Sequence, residues 1–441
     1  MIFNEKMETL SREDMNDLQL TKLQQTVQRV DNHVSFYQAK FNELGIEPED
    51  IQSLDDIRKL PFTEKKDLRN HYPYGFFASP MDDIIRLHAS SGTSGKPTVV
   101  GYTQKDIDDW AEIVARSIVS AGGKAGDVMH NSYGYGLFTG GLGLHLGGEK
   151  LGITTVPVSG GNTKRQILLI EDLKPKVICA TPSYALRIAE QMEEEGKDPR
   201  ATSLKYGIFG SEPWSDEMRI TLEEKLNIKA VDIYGLSEVV GPGVAIECHE
   251  HQDGLHIQED HFLVEVIDPH TLEALPDGEY GELVFTSLEK EAFPIIRYRT
   301  GDIASITREM CRCGRSTTRM SRIKGRIGDM LIIRGVNVFP SEMERILLQV
   351  KELAPYYQVY VRKDGHMDSV ELQVELSEMT FQACERDPEH VKVLGLKKQI
   401  QAMIKEECLV TIDVNVLSPK SIPRSEGKAV RIVDQRTRQT I

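Results

Sequence analysis

Short apolar runs alternate with amphipathic segments between about residues 85 and 240. "PKVICA" (175–180) precedes the amphipathic "PSYALRIAEQMEEEG", "LKYGIFG" (204–210) precedes "SDEMRITLEEKL", and "KAVDIYG" (229–235) comes next. Short apolar runs predict buried strands, whereas apolar positions three and four apart predict helices. The repeated strand–helix–strand order therefore predicts βαβ units and a mainly parallel sheet.

The segments on either side have different patterns. The first 80 or so residues are predicted to be mostly helical, since residues 18–45 place apolar side chains at helical spacing and stop at Gly45. Beyond residue 260, "HFLVEVID", "GELVFTSL" and "IASIT" are interrupted by turn residues such as "LPDGEYG". These runs predict antiparallel strands joined by tight turns.

The pattern changes again at "RIKGRIGDMLIIRGVNVFPSEMERILLQV" (322–350). Strand-like runs, the amphipathic "VKVLGLKKQIQAMIKEEC" and a final "VTIDVNVLS" follow it. About a hundred residues of this kind suit a small α+β domain. We predict an α/β fold with a large N-terminal domain (1–326), built from mainly parallel sheets plus an antiparallel β part, and a small, mobile C-terminal α+β domain (327–441).

Composition and charge limit the classes of protein to which this chain can belong. The chain has 441 residues, 40% of them hydrophobic and 27% charged, which is ordinary for a two-domain globular protein. No apolar run is long enough to span a membrane and the N-terminus lacks the apolar core of a signal peptide, so we expect a cytoplasmic protein with no membrane partner. The net charge of −15 argues against nucleic acid. An anionic ligand would instead need local donors, a metal ion or a few placed cations.

The stretch "HASSGTSGKPTVV" (88–100) provides such donors. Only Thr93 and Ser94 separate Gly92 from Gly95, and Pro97 follows Lys96, which excludes the standard P-loop. Glycines nevertheless let backbone NH groups approach an anion, and hydroxyls add further donors. A flexible linker or a turn between strands is the alternative.

Six motifs occur in an order that carries more information than any one of them. They are "SSGTSGKP" (90–97), "GSEPW" (210–214), "YGLSE" (234–238), "RYRTGD" (297–302), "GRIGD" (325–329) and "PRSEGKAVR" (423–431). The set resembles the adenylate-forming superfamily. "YGYGLFTGGLGLH" (133–145), "LVFTSLEKEAFPIIRYRTGD" and "DMLIIRGVNVFPSEME" are similar to stretches of the phenylacetate–coenzyme A ligase family, over about residues 5 to 435.

The resemblance implies an AMP-forming acid–thiol ligase. A carboxylate would attack the α-phosphorus of ATP to give an acyl-adenylate and pyrophosphate, and the thiol of coenzyme A would then displace AMP. The expected acid is phenylacetate or a close arylacetate, and the expected assembly is a homodimer. Two alternatives stay open: transfer of the acyl group to a carrier-protein thiol, and a non-catalytic nucleotide-binding protein. The sequence does not identify the acid or the residues that contact coenzyme A.

The resemblance also implies roles for individual residues. Lys428 would neutralise charge between the carboxylate and the α-phosphate, and Glu238 would hold Mg²⁺. Tyr234 would stack on the adenine, Asp302 would accept hydrogen bonds from the ribose, and Arg326 would contact the ribose or a phosphate. The remaining residues predicted to bind ATP or AMP are Ser90, Ser91, Gly92, Thr93, Ser94, Gly95, Lys96, Gly210, Ser211, Glu212, Pro213, Asp232, Ile233 and Gly235. Outside these motifs, Glu238 would be a solvated glutamate, Lys428 a surface residue and "TGD" a hairpin turn.

Two further groups of residues follow from the same resemblance. Tyr135 and Phe138 among many glycines, with Leu236 and Pro242, are candidates for an aryl pocket, although ordinary core packing is the alternative. Gly328 or Asp329 would be the pivot of the C-terminal domain. The family usually has an acidic residue or a lysine two positions after the arginine, and this chain has Gly328 there.

Cysteines suggest a metal. Cys-X-Cys at 311–313, a distant Cys248 and nearby histidines suit a structural zinc, with Cys248, His256, Cys311 and Cys313 as ligands. His249, His251 and His261 compete for the histidine position. The spacing matches no usual zinc finger, so free buried thiols or a redox-active pair are the alternatives. Cys179, Cys384 and Cys408 are expected to be ordinary core or helix-face thiols.

Overall fold

The chain forms two compact units, each with its own core, in a computed structural model that describes residues 1–90, 97–333, 336–364 and 367–435. We define the large unit as Met1–Thr181, Arg200–Ser211 and Leu226–Ile323, and the small unit as Pro182–Pro199, Glu212–Lys225 and the chain from Lys324 onward. The α/β fold class is confirmed. The domain boundary between residues 326 and 327 stays a prediction.

The large unit contains most of the helices and strands. Its helices are α1 (Glu5–Glu8), α2 (Arg12–His33), α3 (Ser35–Leu44), α4 (Lys65–Asn70), α5 (Gln104–Ser120), α6 (Thr139–Leu151) and α7 (Thr163–Leu173). Its strands are β1 (Arg86–Ala89), β2 (Val99–Tyr102), β3 (Val128–Asn131), β4 (Thr154–Val156), β5 (Val177–Ala180), β6 (Tyr206–Gly210), β7 (Lys229–Leu236), β8 (Gly241–Glu247), β9 (Leu255–Ile257), β10 (Phe262–Ile267), β11 (Gly281–Ser287), β12 (Tyr298–Ala304), β13 (Ile306–Thr307) and β14 (Arg319–Met320).

Its main sheet has the strand order β13-β14-β9-β8-β7-β6-β5-β3-β4. The pairings from β4 through β3, β5 and β6 to β7 are parallel, as predicted. The pairings from β7 to β13 are antiparallel, and the change begins where the chain reverses directly between β7 and β8. A second sheet contains the predicted antiparallel strands β10, β11 and β12.

The N-terminal helical prediction is also confirmed, with one break. Ser11 caps α2 by accepting a hydrogen bond from the Asp14 amide. Val34 is extended (φ −118°, ψ 102°), so residues 12–44 form two helices rather than one. Gly45 ends α3 in the left-handed conformation, with φ of 66°.

The small unit has a mixed sheet covered by helices. Its helices are α8 (Pro182–Glu194), α9 (Asp216–Leu226), α10 (Pro340–Leu348), α11 (Glu378–Ala383) and α12 (Val391–Cys408). Its strands are β15 (Gly325–Arg326), β16 (Leu331–Ile333), β17 (Val336–Val338), β18 (Leu353–Asp364), β19 (Met367–Leu376), β20 (Asp413–Leu417) and β21 (Ile432–Asp434). The sheet order is β20-β19-β18-β21, and its central pair is antiparallel. Fully buried Val359, Leu372 and Ile400 belong to its core.

Short 3₁₀ helices complete the two units, at Pro48–Asp50, Leu54–Lys59, Met81–Asp83, Pro199–Ala201 and Ile327–Asp329. No helix in the described part of the chain combines the length and apolarity that crossing a membrane requires.

Candidate active site

A tight reversal at the end of β7 positions Glu238. The amides of Val239 and Val240 both donate to the carbonyl of Leu236, at 3.1 Å each, which closes the turn. A Cβ on Gly235 would lie 2.0 Å from the carbonyl oxygen of Gly241, so only glycine fits there. The turn leaves Glu238 6% exposed. Among the residues that the structure describes, none donates a hydrogen bond to its carboxylate.

Tyr234 and Asp302 lie together although 68 residues separate them in the sequence. The Tyr234 hydroxyl donates to Oδ2 of Asp302 at 2.8 Å. The Tyr234 ring stacks on Phe285, with ring centroids 6.0 Å apart. Asp302 is 3% exposed and its amide donates to the Thr300 hydroxyl at 3.0 Å. The structure therefore brings together the two residues predicted for adenine and ribose, and the nucleotide role itself stays a prediction.

Asp232 lies on the same face of β7 as Tyr234, two residues before it. Its carboxylate is 3.8 Å from Nε of Arg322, and its amide donates to Oε2 of Glu247 at 2.9 Å. Arg322 and Glu247 were not predicted from the sequence, because neither belongs to one of the six motifs. The Ile233 side chain is buried in the core, which leaves its backbone as the part that could face a ligand.

The predicted phosphate loop lies mostly outside the described residues. Ser91, Gly92, Thr93, Ser94, Gly95 and Lys96 are among the positions not described. The flanking strands β1 and β2 pair antiparallel, with Ala89 opposite Val99. The Ser90 amide donates to the carbonyl of Thr98 at 2.9 Å. For residues outside the described part of the chain, the phosphate role and the alternative of a plain turn both stay predictions.

The candidate aryl-pocket residues have unequal environments. The Tyr135 hydroxyl lies 2.7 Å from Nδ2 of Asn131 and 3.2 Å from Nδ1 of His145, and burial raises the pKa of Tyr135. Phe138 immediately precedes α6 and is 51% exposed. Leu236 is partly buried and pairs with Gly241 across the β7–β8 reversal.

Pro242 is backed by Trp110, a residue that the sequence analysis missed. Nε1 of Trp110 donates to the Pro242 carbonyl at 3.0 Å. A Cβ on Gly143 or on Gly241 would lie 2.5 Å from the Trp110 ring. The fully buried indole is therefore seated against two glycines, one from α6 and one from β8. The glycines around 140 were the only available signal for this contact.

In the small unit, the loop that carries Lys428 is exposed and turned on itself. The Ser425 hydroxyl donates to the Lys428 carbonyl at 2.6 Å and accepts from the Gly427 amide at 3.2 Å. The Ala429 amide donates to Oε2 of Glu212 at 2.8 Å.

Glu212 has a structural role that the sequence did not predict. Its Oε1 accepts from the amide and the hydroxyl of Ser183, at 2.8 and 2.6 Å. Its carboxylate thus joins the start of α8 to the Lys428 loop. The neighbouring Ser211 and Pro213 are exposed, and Ser211 has φ of 69°.

The predicted pivot lies where β15 passes into a 3₁₀ turn. Arg326, Gly328 and Asp329 are all exposed. A Cβ on Gly328 would have no atom within 4 Å, and the φ of Gly328 lies outside the left-handed region. Local sterics therefore do not require glycine there, and the pivot stays a prediction.

The four predicted metal ligands converge in the large unit. The ligand atoms of Cys248, His256, Cys311 and Cys313 all lie within 4.8 Å of one another. The Cys248 and Cys311 sulfurs are 3.9 Å apart, and Sγ of Cys313 is 3.5 Å from Nε2 of His256. Nδ1 of His256 lies 3.1 Å from the Thr317 hydroxyl, so Nε2 points toward the sulfurs.

Electrostatics around this Cys/His cluster favour a thiolate. Hydrogen bonds from Cys248 and then His256 lower the pKa of the Cys313 thiol far below its usual range. The Arg315 guanidinium lies 3.5 Å from the same sulfur and pairs with buried Glu8 at 2.6 Å. Thiolates and an oriented imidazole are the donor set that zinc prefers.

Comparison with known proteins matches both parts of the chain. Residues 9–288 match the AMP-binding enzyme family, and residues 335–436 match the AMP-binding enzyme C-terminal domain. The phenylacetate–coenzyme A ligase of Aromatoleum evansii is 52% identical over 436 residues, covering 99% of this chain and 98% of that protein. The phenylacetate–coenzyme A ligase of Thermus thermophilus is 49% identical over 444 residues, covering 99% of this chain and all of that protein.

A solved structure is similar over nearly the whole chain. The crystal structure of 2-hydroxyisobutyryl-CoA ligase in complex with 2-HIB-AMP, in the postadenylation state, gives a TM-score of 0.91 at 29% identity, covering 97% of this chain and 91% of that one. The chain belongs to the phenylacetate–coenzyme A ligase family of adenylate-forming enzymes. The resemblance inferred from the motifs is confirmed.

The candidate residues are distributed over the two family matches and the segment between them. Glu238 and Tyr234 fall within the AMP-binding match, and Lys428 falls within the C-terminal match. Asp302, Cys311 and Cys313 lie between the two matches and are covered by the full-length ligases of this family.

Proposed function

We propose that the chain ligates an aryl acid to coenzyme A at the expense of ATP, through an acyl-adenylate, and releases AMP and pyrophosphate. One observation carries the proposal: identity of about half over the full length with two phenylacetate–coenzyme A ligases. The Tyr234–Asp302 pair, the buried carboxylate of Glu238 and the exposed Lys428 loop supply groups that this reaction requires.

The nucleotide would bind at the carboxyl end of β7. The carboxylate of Asp302 is a group that accepts several hydrogen bonds, which suits the hydroxyls of a ribose. The Tyr234 ring, held by Phe285 on one side, would support the adenine. Ligands of open α/β sheets bind outside the carboxyl ends of parallel strands, and β7 is the last strand of the parallel part.

Glu238 fits a magnesium ligand. Its carboxylate is buried and has no protein donor among the described residues, and Mg²⁺ prefers carboxylate oxygens together with water and phosphate oxygens. Bound there, the ion would offset negative charge on the triphosphate. Lys428 would supply a second positive charge, at the α-phosphate, where the substrate carboxylate and ATP repel each other.

The acyl group is proposed to be phenylacetyl or a close arylacetyl group. The curated relatives carry that name, and Tyr135, Leu236 and Pro242 provide aromatic and apolar surface. The Pro242 carbonyl accepts a hydrogen bond from Trp110, and the missing side chain of Gly143 leaves room for the proline ring. The adenylate is a better electrophile than the free acid, so a thiol can then displace AMP.

We also propose zinc at the Cys/His cluster. Three sulfurs and one oriented imidazole match a closed structural site, and the four residues come from three separate segments of the large unit. A cytoplasmic location, expected from the sequence, and a homodimer, expected from the family resemblance, complete the proposal.

Release of AMP tests the function directly. Purified protein is incubated with ATP, Mg²⁺ and a panel of aryl acids, with coenzyme A, with an acyl carrier protein, or with neither. We expect AMP and acyl-CoA from an arylacetate with coenzyme A, and loss of AMP in Lys428→Ala. Lys398→Ala, an exposed lysine on α12, is the matched control and should retain activity. ATP binding without AMP from any acid would refute the proposal, and turnover only with the carrier would reassign the acceptor.

A further inference from the structure

The loop that carries Lys428 is flanked by two arginines that have the same surroundings. Arg424 stands four residues before Lys428 and Arg431 three residues after it. Each arginine pairs with a buried glutamate and lies over the ring of a tyrosine. We call these arrangements the first clamp (Arg424, Glu375, Tyr356) and the second clamp (Arg431, Glu344, Tyr357).

The first clamp fixes the chain before the loop. Both guanidinium NH₂ groups of Arg424 donate to the two oxygens of Glu375, at 2.8 Å each. Glu375 is fully buried and also accepts from the amides of Lys420 and Ile422. The Arg424 guanidinium carbon lies 3.4 Å from the centroid of the Tyr356 ring. A bidentate pair with further donors compensates a buried carboxylate well, and removing one partner is costly.

The second clamp fixes the chain after the loop. Nη2 of Arg431 lies 2.9 Å from Oε1 of Glu344, whose side chain is 4% exposed. The guanidinium carbon lies 4.4 Å from the centroid of the Tyr357 ring. Glu344 belongs to α10 and Tyr357 to β18, so Arg431 joins the end of the loop to two elements that contribute to the core of the small unit.

Between the clamps only six residues, 425–430, span the exposed segment. Holding such a backbone residue in a single conformation costs conformational entropy. An unanchored loop would meet that cost each time Lys428 had to reach the reacting phosphate. Anchors at both ends reduce that cost in advance, which is how preorganised groups accelerate a reaction.

We propose that Arg424 and Arg431 are positioning residues for the adenylation step. Each would act through Lys428, by fixing the two ends of its loop, and neither would contact substrate. The inference rests on the proposed function, in which Lys428 offsets charge at the α-phosphate during adenylation. The later attack of the thiol starts from an adenylate that is already formed, so it does not need that charge. The clamps should therefore matter for the first half-reaction alone.

The test compares the two half-reactions in Arg424→Lys and Arg431→Lys. Lysine retains the positive charge but loses both the planar fork and the stacking on tyrosine. Adenylation is measured as pyrophosphate release in the presence of ATP and phenylacetate. Thioester formation is measured by adding synthetic phenylacetyl-adenylate and coenzyme A. We expect adenylation kcat to fall roughly 10–100-fold with KM for ATP within about twofold, as expected when a contribution specific to the transition state is lost. Thioester formation should be unchanged.

The thioester half-reaction also reports whether a variant is folded. Arg345→Lys is the matched control and should leave both half-reactions unchanged. Arg345 is an exposed arginine of α10 that pairs with Glu407. Equal losses in both half-reactions, or no loss in either, would overturn the inference. If the wild type forms acyl-CoA but the variants show no such split, only this inference fails. A wild type that forms no adenylate from any acid would refute the proposed function itself, and this inference with it.

Discussion

Lys290 is a single residue whose charge the large unit buries with little compensation. The side chain is 8% exposed, and its Nζ has no hydrogen-bond acceptor among the described residues. The ammonium lies 3.2 Å from the centroid of the Tyr102 ring. Burial lowers the pKa of Lys290 to about 8, although Asp106 and Asp109 act in the opposite direction. The folded protein therefore disfavours the charged form more than the unfolded chain does.

Replacing this lysine should change how stability depends on pH. Below pH 8 both states are protonated and the native state carries the cost of the buried charge. Between pH 8 and 10.5 the native state loses its proton first, so stability of the wild type relative to Lys290→Met should rise with pH by about 3 kcal/mol. Urea unfolding at pH 7, 8.5 and 10 measures the difference. An identical pH dependence in the two proteins would contradict the prediction.

At the scale of an element, the glycines of α6 determine how closely this helix packs against its neighbour. A Cβ on Gly143 would lie 2.5 Å from Trp110 and 2.6 Å from Pro242, and one on Gly147 would lie 2.4 Å from Val114. Both Trp110 and Val114 belong to α5. The absence of side chains at these positions therefore lets α6 approach α5 closely. Gly143 and Gly147 had no role predicted from the sequence, and the structure gives helix packing as a reason for them.

Alanine at two positions of α6 should separate these effects. Gly143→Ala should lower the free energy of unfolding by roughly 1–3 kcal/mol, because the new methyl group overpacks the contact with Trp110. It should also raise KM for the aryl acid if the displaced indole ring of Trp110 moves Pro242. Gly140→Ala is the control, since its nearest neighbour would be 3.7 Å away and alanine favours a helix by up to about 1 kcal/mol. Equal stabilities of the two variants in chemical denaturation would refute the packing argument.

Local patterns predicted the elements well and long-range contacts poorly. Parallel strands β5, β6 and β7 and the stop at Gly45 follow from periodicity and one special residue. Residue type was enough to select the four metal-ligand candidates, and these four residues converge in the structure. The position of Trp110 against α6 and β8, and the bonds from Glu212 to Ser183 and the Lys428 loop, arise from pairing between distant segments. Periodicity carries no information on such pairs.

At the scale of the whole molecule, two separate cores predict two unfolding events. The large unit contains Trp110 and the small unit contains Trp214, and these are the only two tryptophans of the chain. Fluorescence of Trp214→Phe therefore reports on the large unit, and fluorescence of Trp110→Phe on the small one. The Cys/His cluster lies in the large unit alone, whereas Leu372 is fully buried in the small core.

Loss of the proposed zinc should therefore affect one transition only. Cys313→Ser, or a zinc chelator, should lower the melting temperature reported by Trp110 by about 5 °C or more, because the cluster ties three segments of the large unit together. The transition reported by Trp214 should stay within about 1 °C. Leu372→Ala is the reciprocal control and should destabilise the small unit by about 2–5 kcal/mol while leaving the Trp110 transition unchanged. If the chelator shifted both transitions equally, or neither, then the cluster would not be a structural metal site of the large unit alone. Metal content of the purified protein, near one zinc per chain in the wild type and near zero in Cys313→Ser, would identify the ion independently of stability.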